Sequence, residues 1–452
     1  MTAALTSTTI DQLTRQRREP AWLTELRQRS FGRHTELPWP HPSDDIWRRT
    51  DASLLDPARG FALADDGLLQ SLRLTDREFA QFTHPLGDEQ LFVRANGVNL
   101  TEGTLRGVVI DDLGRAAHTD PDPIRHALES HDLSESEQKF ASLNLAFHHD
   151  DVVLRIPTGF AEVRPVRLVR LFSLGAHQVI FPMTVIFVGA GSTVTLIEEH
   201  VGIPGEGSDG AEAAPAIVNS RIELVLAPAA RVHYVRLQRW GPTTREFLLQ
   251  RATLAQDASL TMANVTLGAA LSKAHIITKL AETGAATKLF GFVFGHHAQH
   301  VDQHTLQDHQ APHTSSDLQY RAALQDQSRL VYTGLIRIAP AAKQTNAFQA
   351  NRNLLLSRTA KVETIPMLEI LADDVQCKHG ASVGPIDEEQ VFYLQSRGVP
   401  RETAQRLIVM GFIEPVLQQV PFEPLQDQLR REIEGGLQPA GAESDSADPV
   451  GG

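Results

Sequence analysis

Apolar positions over the first 150 residues recur at helical spacing and are interrupted by prolines. Ile10, Leu13, Trp22, Leu23 and Leu26 fit two helices meeting near Glu19-Pro20, because proline is tolerated at a helix start. Leu37-Pro-Trp-Pro-His-Pro42 has too many prolines for a helix and is expected to be extended. Strand-like pieces follow at residues 91–93 and 108–110. Pro123 opens another helix, with Ile124, Ala127 and Leu128 on one face, and residues 139–147 are again helical.

Near Asp151 the period changes to two and stays so to about Ile370. Short apolar strands flank turns of small residues, as in Val185-Ile-Phe-Val-Gly-Ala-Gly-Ser-Thr-Val-Thr-Leu-Ile197 and Leu224-Val-Leu-Ala-Pro-Ala-Ala-Arg-Val-His-Tyr-Val235. Further copies have turns beginning near residues 255, 282, 339 and 357, after the first two near 189 and 227. The intervals are 38, 28, 27, 57 and 18 residues, a degenerate repeat in which 57 is about twice 28. One such unit cannot bury its apolar face alone, whereas stacked units bury a continuous core. The pattern therefore predicts a mainly β chain built on a parallel β-solenoid. A β-sandwich is the alternative, but neither Asp209-Gly210 nor Asn96-Gly97 joins two units of the repeat as a hairpin turn would. Residues 202–215, rich in Gly, Glu, Ser, Asp and Ala, are expected to form a mobile surface insertion.

Helical patterning returns after Ile370. Asp387-Glu-Glu-Gln390 looks like an N-cap with Gln390 at the capping-box position, Gly398 ends that helix, and Pro400 starts the next, with Ala404, Leu407, Ile408 and Phe412 on one face. Pro424 opens a last short helix. From Glu434 the composition predicts a solvated tail. Four parts result: an N-terminal helical and mixed domain (1–150), a solenoid core (151–380), a C-terminal helical domain (381–433) and a disordered tail (434–452).

Charge and composition narrow the function. Lys and Arg number 42 against 55 Asp and Glu, a net charge of −13, which argues against nucleic acid and against an anionic membrane surface as partners. Hydrophobic residues make up 42%, enough for a real core. No apolar run approaches the roughly 20 residues of a membrane span, and none resembles a secretory signal, so a cytoplasmic protein is expected. A single cysteine excludes a disulfide framework and any metal or cluster site held by several cysteines of this chain alone.

Histidine supplies the densest chemical signal: His296, His297, His300, His304, His309 and His313. The flanking residues 289–294 are strand-like, so His296, His300 and His304 would share a face at about 13 Å per four residues, too far apart for one metal. Polar ladders between coils account for them. A second candidate is Asp373-Asp-Val-Gln-Cys-Lys-His-Gly380. In an extended segment Cys377 and His379 point to one side, about 6.5 Å apart at Cα, and can share one soft metal. Two ligands do not close a site, so the rest must come from elsewhere, unless the thiol is simply packed. No nucleophile elbow, P-loop, His-Glu-x-x-His or dinucleotide fingerprint occurs. Glu198-Glu199 and Asp373-Asp374 are each expected to lie on a solvated face or turn.

Several strings go beyond pattern: His296-His-Ala-Gln-His300, Asn351-Arg-Asn-Leu-Leu-Leu-Ser357, Leu368-Glu-Ile370, Ala372-Asp-Asp-Val-Gln-Cys-Lys-His-Gly-Ala381 and Asp387-Glu-Glu-Gln-Val-Phe-Tyr-Leu-Gln-Ser-Arg-Gly398. Upstream, Glu19-Pro-Ala-Trp-Leu23, Trp47-Arg-Arg-Thr50 and Lys139-Phe-Ala-Ser-Leu-Asn144 belong with them. Over roughly residues 19–420 the chain resembles the SufB/SufD family of iron–sulfur cluster assembly proteins. With its one cysteine it is most similar to the SufD type, the SufB-type scaffold being the alternative.

The resemblance implies a right-handed parallel β-helix core flanked by helical domains, and a non-enzymatic role. It implies a cytosolic complex with a SufB-type paralogue and a SufC-type ABC ATPase; a homodimer of the isolated chain is compatible with it too. It implies that His379, with Cys377 beside it, faces the partner's cysteine where a transient iron–sulfur cluster forms, no cofactor being tightly held by this chain alone. It implies that the ATPase docks on residues 387–420, which include Asp387, Glu388, Phe392, Tyr393, Arg397, Leu407 and Phe412. It assigns no role to the histidines from His296 to His313. Two readings from other classes compete: a stand-alone His-rich metal-binding or cupin-like protein, and a secreted-type β-helix carbohydrate enzyme. The latter needs clustered carboxylates at coil spacing, which are missing.

Overall fold

A computed structural model of the chain describes residues 5–64, 76–101, 107–129, 133–204 and 214–437. The period-two segment coils into a solenoid of about eight turns with helices at both ends. Each turn gives one strand to each of two facing sheets. From the C-terminal end, the first sheet runs Lys361–Ile370, Arg329–Ile338, His300–His309, Leu271–Leu280, Thr244–Leu254, Ala216–Leu226, Met183–Val188 and Asp151–Ile156. The second runs Gln376–Pro385, Asn346–Leu355, Ser315–Leu324, Ala286–Gly295, Ser259–Thr266, Arg231–Arg239, Thr193–Pro204 and Val166–Leu174. Every coil-to-coil pairing is parallel, for example Ala216 with Thr244 and Arg231 with Ser259, which excludes the sandwich. Antiparallel pairing is confined to the N-terminal end, where Asn96 and Gly97, both at positive φ, turn a hairpin between Gln90–Ala95 and Val98–Asn99.

One corner of the coil is marked by a column of left-handed residues: Gly191, Ala229, Asp257, Gly284, His313, Gln344 and Asp374. The N–H groups of the first six each donate to a backbone carbonyl one coil on, as Ala229 does to Gln256 and His313 to Lys343. Those bonds offset the left-handed backbone in the residues that are not glycine. This column corrects the sequence repeat. The interval of 57 conceals a turn at residues 310–314, hidden because the strand entering it, His300–His309, is mostly His, Gln and Asp. The turn at 357 belongs to a different corner.

The sheets face each other across an apolar core that includes Ile186, Leu224, Leu254, Leu260, Ile276 and Leu318. Helices cover the outer faces. The N-terminal helices Ala21–Glu36, Leu113–Thr119 and Pro121–Leu128 pack on Val153, Met183 and Val185 of the first sheet. The C-terminal helices Arg401–Leu417 and Glu423–Gly436 bury Val409, Ile413, Leu425 and Ile433 against Val265, Phe292 and Phe294 of the second. Gly202 lies in the strand Thr193–Pro204 rather than in an insertion; residues 205–213 lie outside the described ones. The last helix continues to Gly436, past the expected start of the tail, because Leu425, Leu429 and Ile433 anchor it at helical spacing. Residues 438–452 also lie outside those described.

Candidate functional site

The two ends of the solenoid differ. At the N-terminal end Val108, Ile110 and Phe160 pack against the inner core. At the C-terminal end the inward-facing column reaches the last coil and is left open. Register shows this directly: Ile336 pairs with Leu368 and Ile338 with Ile370. Ile336 and Ile338 are fully buried, yet Leu368 is 39% and Ile370 41% exposed. On the second sheet Ala347, Gln349, Asn351 and Asn353 pair with Cys377, His379, Ala381 and Val383. The first four are buried, whereas Val383 is 44% exposed and His379 is also exposed. The lumen turns polar toward this end. Gln307 Nε2 donates to Ser316 Oγ at 2.6 Å, Gln349 Nε2 to the Gly334 carbonyl at 3.3 Å, and Asn353 Nδ2 to Asn351 Oδ1 at 2.6 Å.

Cys377 and His379 thus sit two residues apart on the same face of Gln376–Pro385. Cys377 is half-buried against Ile338, Ala342 and Ala347, and burial pushes its thiol above the ordinary value. The protonated thiol is a poor ligand until a metal or another charge stabilises the thiolate. Among the described residues no group of three or more His, Cys, Asp or Glu side chains is arranged to hold a metal ion. The strands Lys361–Ile370 and Gln376–Pro385 end their sheets, so each presents a free edge of backbone groups. Pro366 lies within the first of these strands, a position open to proline only at an edge, and is the signal that marks the end in the sequence.

The histidine group does not converge. His296 and His297 occupy a turn outside the strand, so His296 does not share a face with His300 and His304 as strand spacing suggested. His304 points outward and lies 5.1 Å, ring to ring, from His275 on the neighbouring strand, a ladder between coils. His309 faces the lumen and bonds Thr314 and Ser316. His313 is a corner residue.

Beyond Pro385 come the helices Glu388–Ser396 and Arg401–Leu417. Asp387 Oδ1 accepts from the Glu389 N–H at 2.9 Å and caps the first; the cap is carried by that bond. Glu388 pairs with Arg401 at 2.7 Å. Phe392 is 72%, Tyr393 57% and Leu407 51% exposed, with the Arg397 guanidinium over the Tyr393 ring. Phe412 differs: its carbonyl accepts from Arg321 of the second sheet, whose guanidinium covers its ring, so it anchors the helix to the solenoid. The open end exposes an apolar set, Met367, Leu368, Ile370, Leu371 and Val383, whose trace in the sequence is the apolar residues of 367–371. No helix among the described residues is long and apolar enough to cross a membrane.

Residues 172–412 match the family model described as SUF system FeS cluster assembly, SufBD core domain. The chain is 28% identical over 299 residues to an iron–sulfur cluster assembly SufBD family protein of Synechocystis, covering 66% of each chain. It is 31% identical over 252 residues to the iron–sulfur cluster assembly protein SufD of Escherichia coli, covering 56% of this chain and 57% of the relative. Similarity to the iron–sulfur cluster assembly protein SufB of Bacillus subtilis is 24% over 454 residues, covering 96% of this chain and 94% of that one. The matches to the first two relatives therefore span under two thirds of those proteins, and the third match runs nearly end to end.

Proposed function

Since this chain belongs to the SufB/SufD family of iron–sulfur cluster assembly proteins, we propose that it is a non-enzymatic, SufD-type subunit that pairs with a cysteine-bearing SufB-type paralogue and docks a SufC-type ATPase. The observation that carries this reading is the uncapped terminal coil, which offers one thiol and one imidazole at an edge rimmed by apolar side chains. Cys377 and His379 offer two ligands at this edge, and iron and sulfide as cargo need about four ligands per iron. A paralogue joined edge to edge through Lys361–Ile370 and Gln376–Pro385 would extend both sheets, cover Leu368, Ile370 and Val383, and bring its own thiolates to His379.

The exposed ring of Phe392, with Tyr393 and Leu407, suits an apolar docking patch for the ATPase. Such patches on a helix pair with an otherwise charged surface mark protein contacts. ATP-driven approach of two docked ATPase subunits would pull on these helices. Because Arg321 ties Phe412 to the second sheet and Arg239 pairs with Glu432 at 3.0 Å, the helices cannot move without the solenoid, and the pull reaches the terminal edge. The edge contact then opens and admits iron and sulfide.

The test is His379→Ala, expressed with the paralogue and ATPase. Cluster assembly in cells falls while the complex still co-purifies. Unchanged assembly refutes the role of His379, and failure of the wild-type chain to co-purify with either partner refutes the reading as a whole.

A further inference from the structure

A terminal coil is the weakest part of a solenoid because it is bonded to one neighbour instead of two. The sequence string Trp47-Arg-Arg-Thr50, which cluster chemistry leaves unused, bears on that weakness. On the outer face of the first sheet, Lys273, Asp302, Val331 and Glu363 form one column across four consecutive coils. Residues 46–50 lie along it. The Trp47 ring is 1% exposed and stacks on Phe140 at 5.0 Å and on Phe247 at 6.0 Å, Phe247 belonging to the coil before Lys273. Lys273 Nζ donates to the Ile46 carbonyl at 2.6 Å and sits 4.9 Å from the Trp47 ring centre. Thr50 Oγ1 donates to Asp302 Oδ2, which also receives Lys273 Nζ at 2.7 Å. Arg49 turns away from this buried set and donates Nε to Glu363 Oε2 at 2.6 Å, on the terminal strand; the other Glu363 oxygen takes Arg329 at 2.7 Å.

We infer that the Trp47–Thr50 segment is a lengthwise strap that positions the terminal coil for pairing, and that Arg49 is the positioning residue through which it reaches the strand Lys361–Ile370. This rests on the edge-pairing reading above. Trp47, Lys273, Asp302 and Thr50 anchor the strap in the buried interior of the outer face. From that fixed point the Arg49–Glu363–Arg329 link ties the last coil sideways to the coils before it. An edge strand already held in register loses less conformational freedom when a partner strand joins it, so the link acts on association more than on folding.

The experiment compares full-length wild type, Arg49→Glu and Glu363→Gln by hydrogen exchange read by mass spectrometry, thermal melting, and affinity for the cysteine-bearing paralogue. The strap predicts faster exchange in residues 361–370 with unchanged exchange in residues 271–280, an unchanged melting temperature, and pairing weakened about threefold or more, the scale of one solvent-accessible ion pair. Unchanged exchange in 361–370 overturns it. So does exchange that rises throughout the solenoid with a lowered melting temperature, which makes Arg49 a general fold residue. Faster local exchange with unaltered pairing also overturns the positioning role. If wild type fails to bind the paralogue, the edge-pairing reading falls, and with it the purpose assigned to the strap, while the exchange data still decide whether the tie exists.

Discussion

Gln349 and His379 occupy the same inward position on successive coils, directly paired in register, yet Gln349 is 1% exposed and His379 stands in the open. The difference is one missing coil. It makes the terminal layer expendable for folding and available for binding. Ile336→Ala should therefore cost about 2–5 kcal/mol, as for other buried large-to-small changes, whereas Leu368→Ala, paired with it one coil on, should cost under about 1 kcal/mol and weaken pairing with the paralogue. Urea unfolding of the two variants decides this; equal losses would mean that the last coil is covered within the monomer.

Lys273 and Asp302 form a fully buried ion pair with Nζ 2.7 Å from Oδ2. Lys273→Met strands the carboxylate and should destabilise the chain by about 3–5 kcal/mol. The double variant Lys273→Met with Asp302→Leu removes the uncompensated charge and should lose less. A double-variant loss equal to or above that of Lys273→Met would show that the charge is not what costs stability here.

Phe392 and Tyr393 lie outside the core beneath the helix pair, so Phe392→Asp and Tyr393→Asp should change stability by no more than about 0.5 kcal/mol. Both should abolish capture of the ATPase in a pull-down. Retained capture would move the docking surface away from the helix Glu388–Ser396.

Acid should begin to destabilise the fold at a pH above the ordinary carboxylate range. Burial pushes His34, His304 and His309 each down to about 4, helped at His304 by the Lys273 ammonium. In the unfolded chain they take up protons near the ordinary 6.5. Below that pH the unfolded state binds protons that the folded state refuses. Stability is thus complete above about 6.5 and declines as pH falls toward 4. The urea midpoint at pH 5 should lie below that at pH 7.5; a flat or rising profile would contradict the burial of these rings.

Much of this molecule could be read from its residues. Alternation at period two, turns of small residues and intervals near 28 dictated stacked coils, because a half-apolar strand unit has to be covered by its like. Pro20, Pro400 and Asp387 marked helix starts through local backbone chemistry that needs no distant partner. Where apolar alternation lapses, in the His- and Gln-rich strand His300–His309, the doubled interval of 57 is the only local trace of the turn at residues 310–314.

By itself the sequence determined that the chain carries one thiol, that Cys377 and His379 share a strand face, and that a solenoid lies between helices, since composition and short-range spacing hold in any packing. Only the tertiary structure decided that the coil ends uncapped at those two residues, that the clustered histidines disperse to a turn, an outer ladder, the lumen and a corner, and that Arg49 meets Glu363 across 314 positions of chain. Those are matters of which coil is last and which surfaces face each other. They arise from contacts between residues far apart in sequence, which no local period encodes.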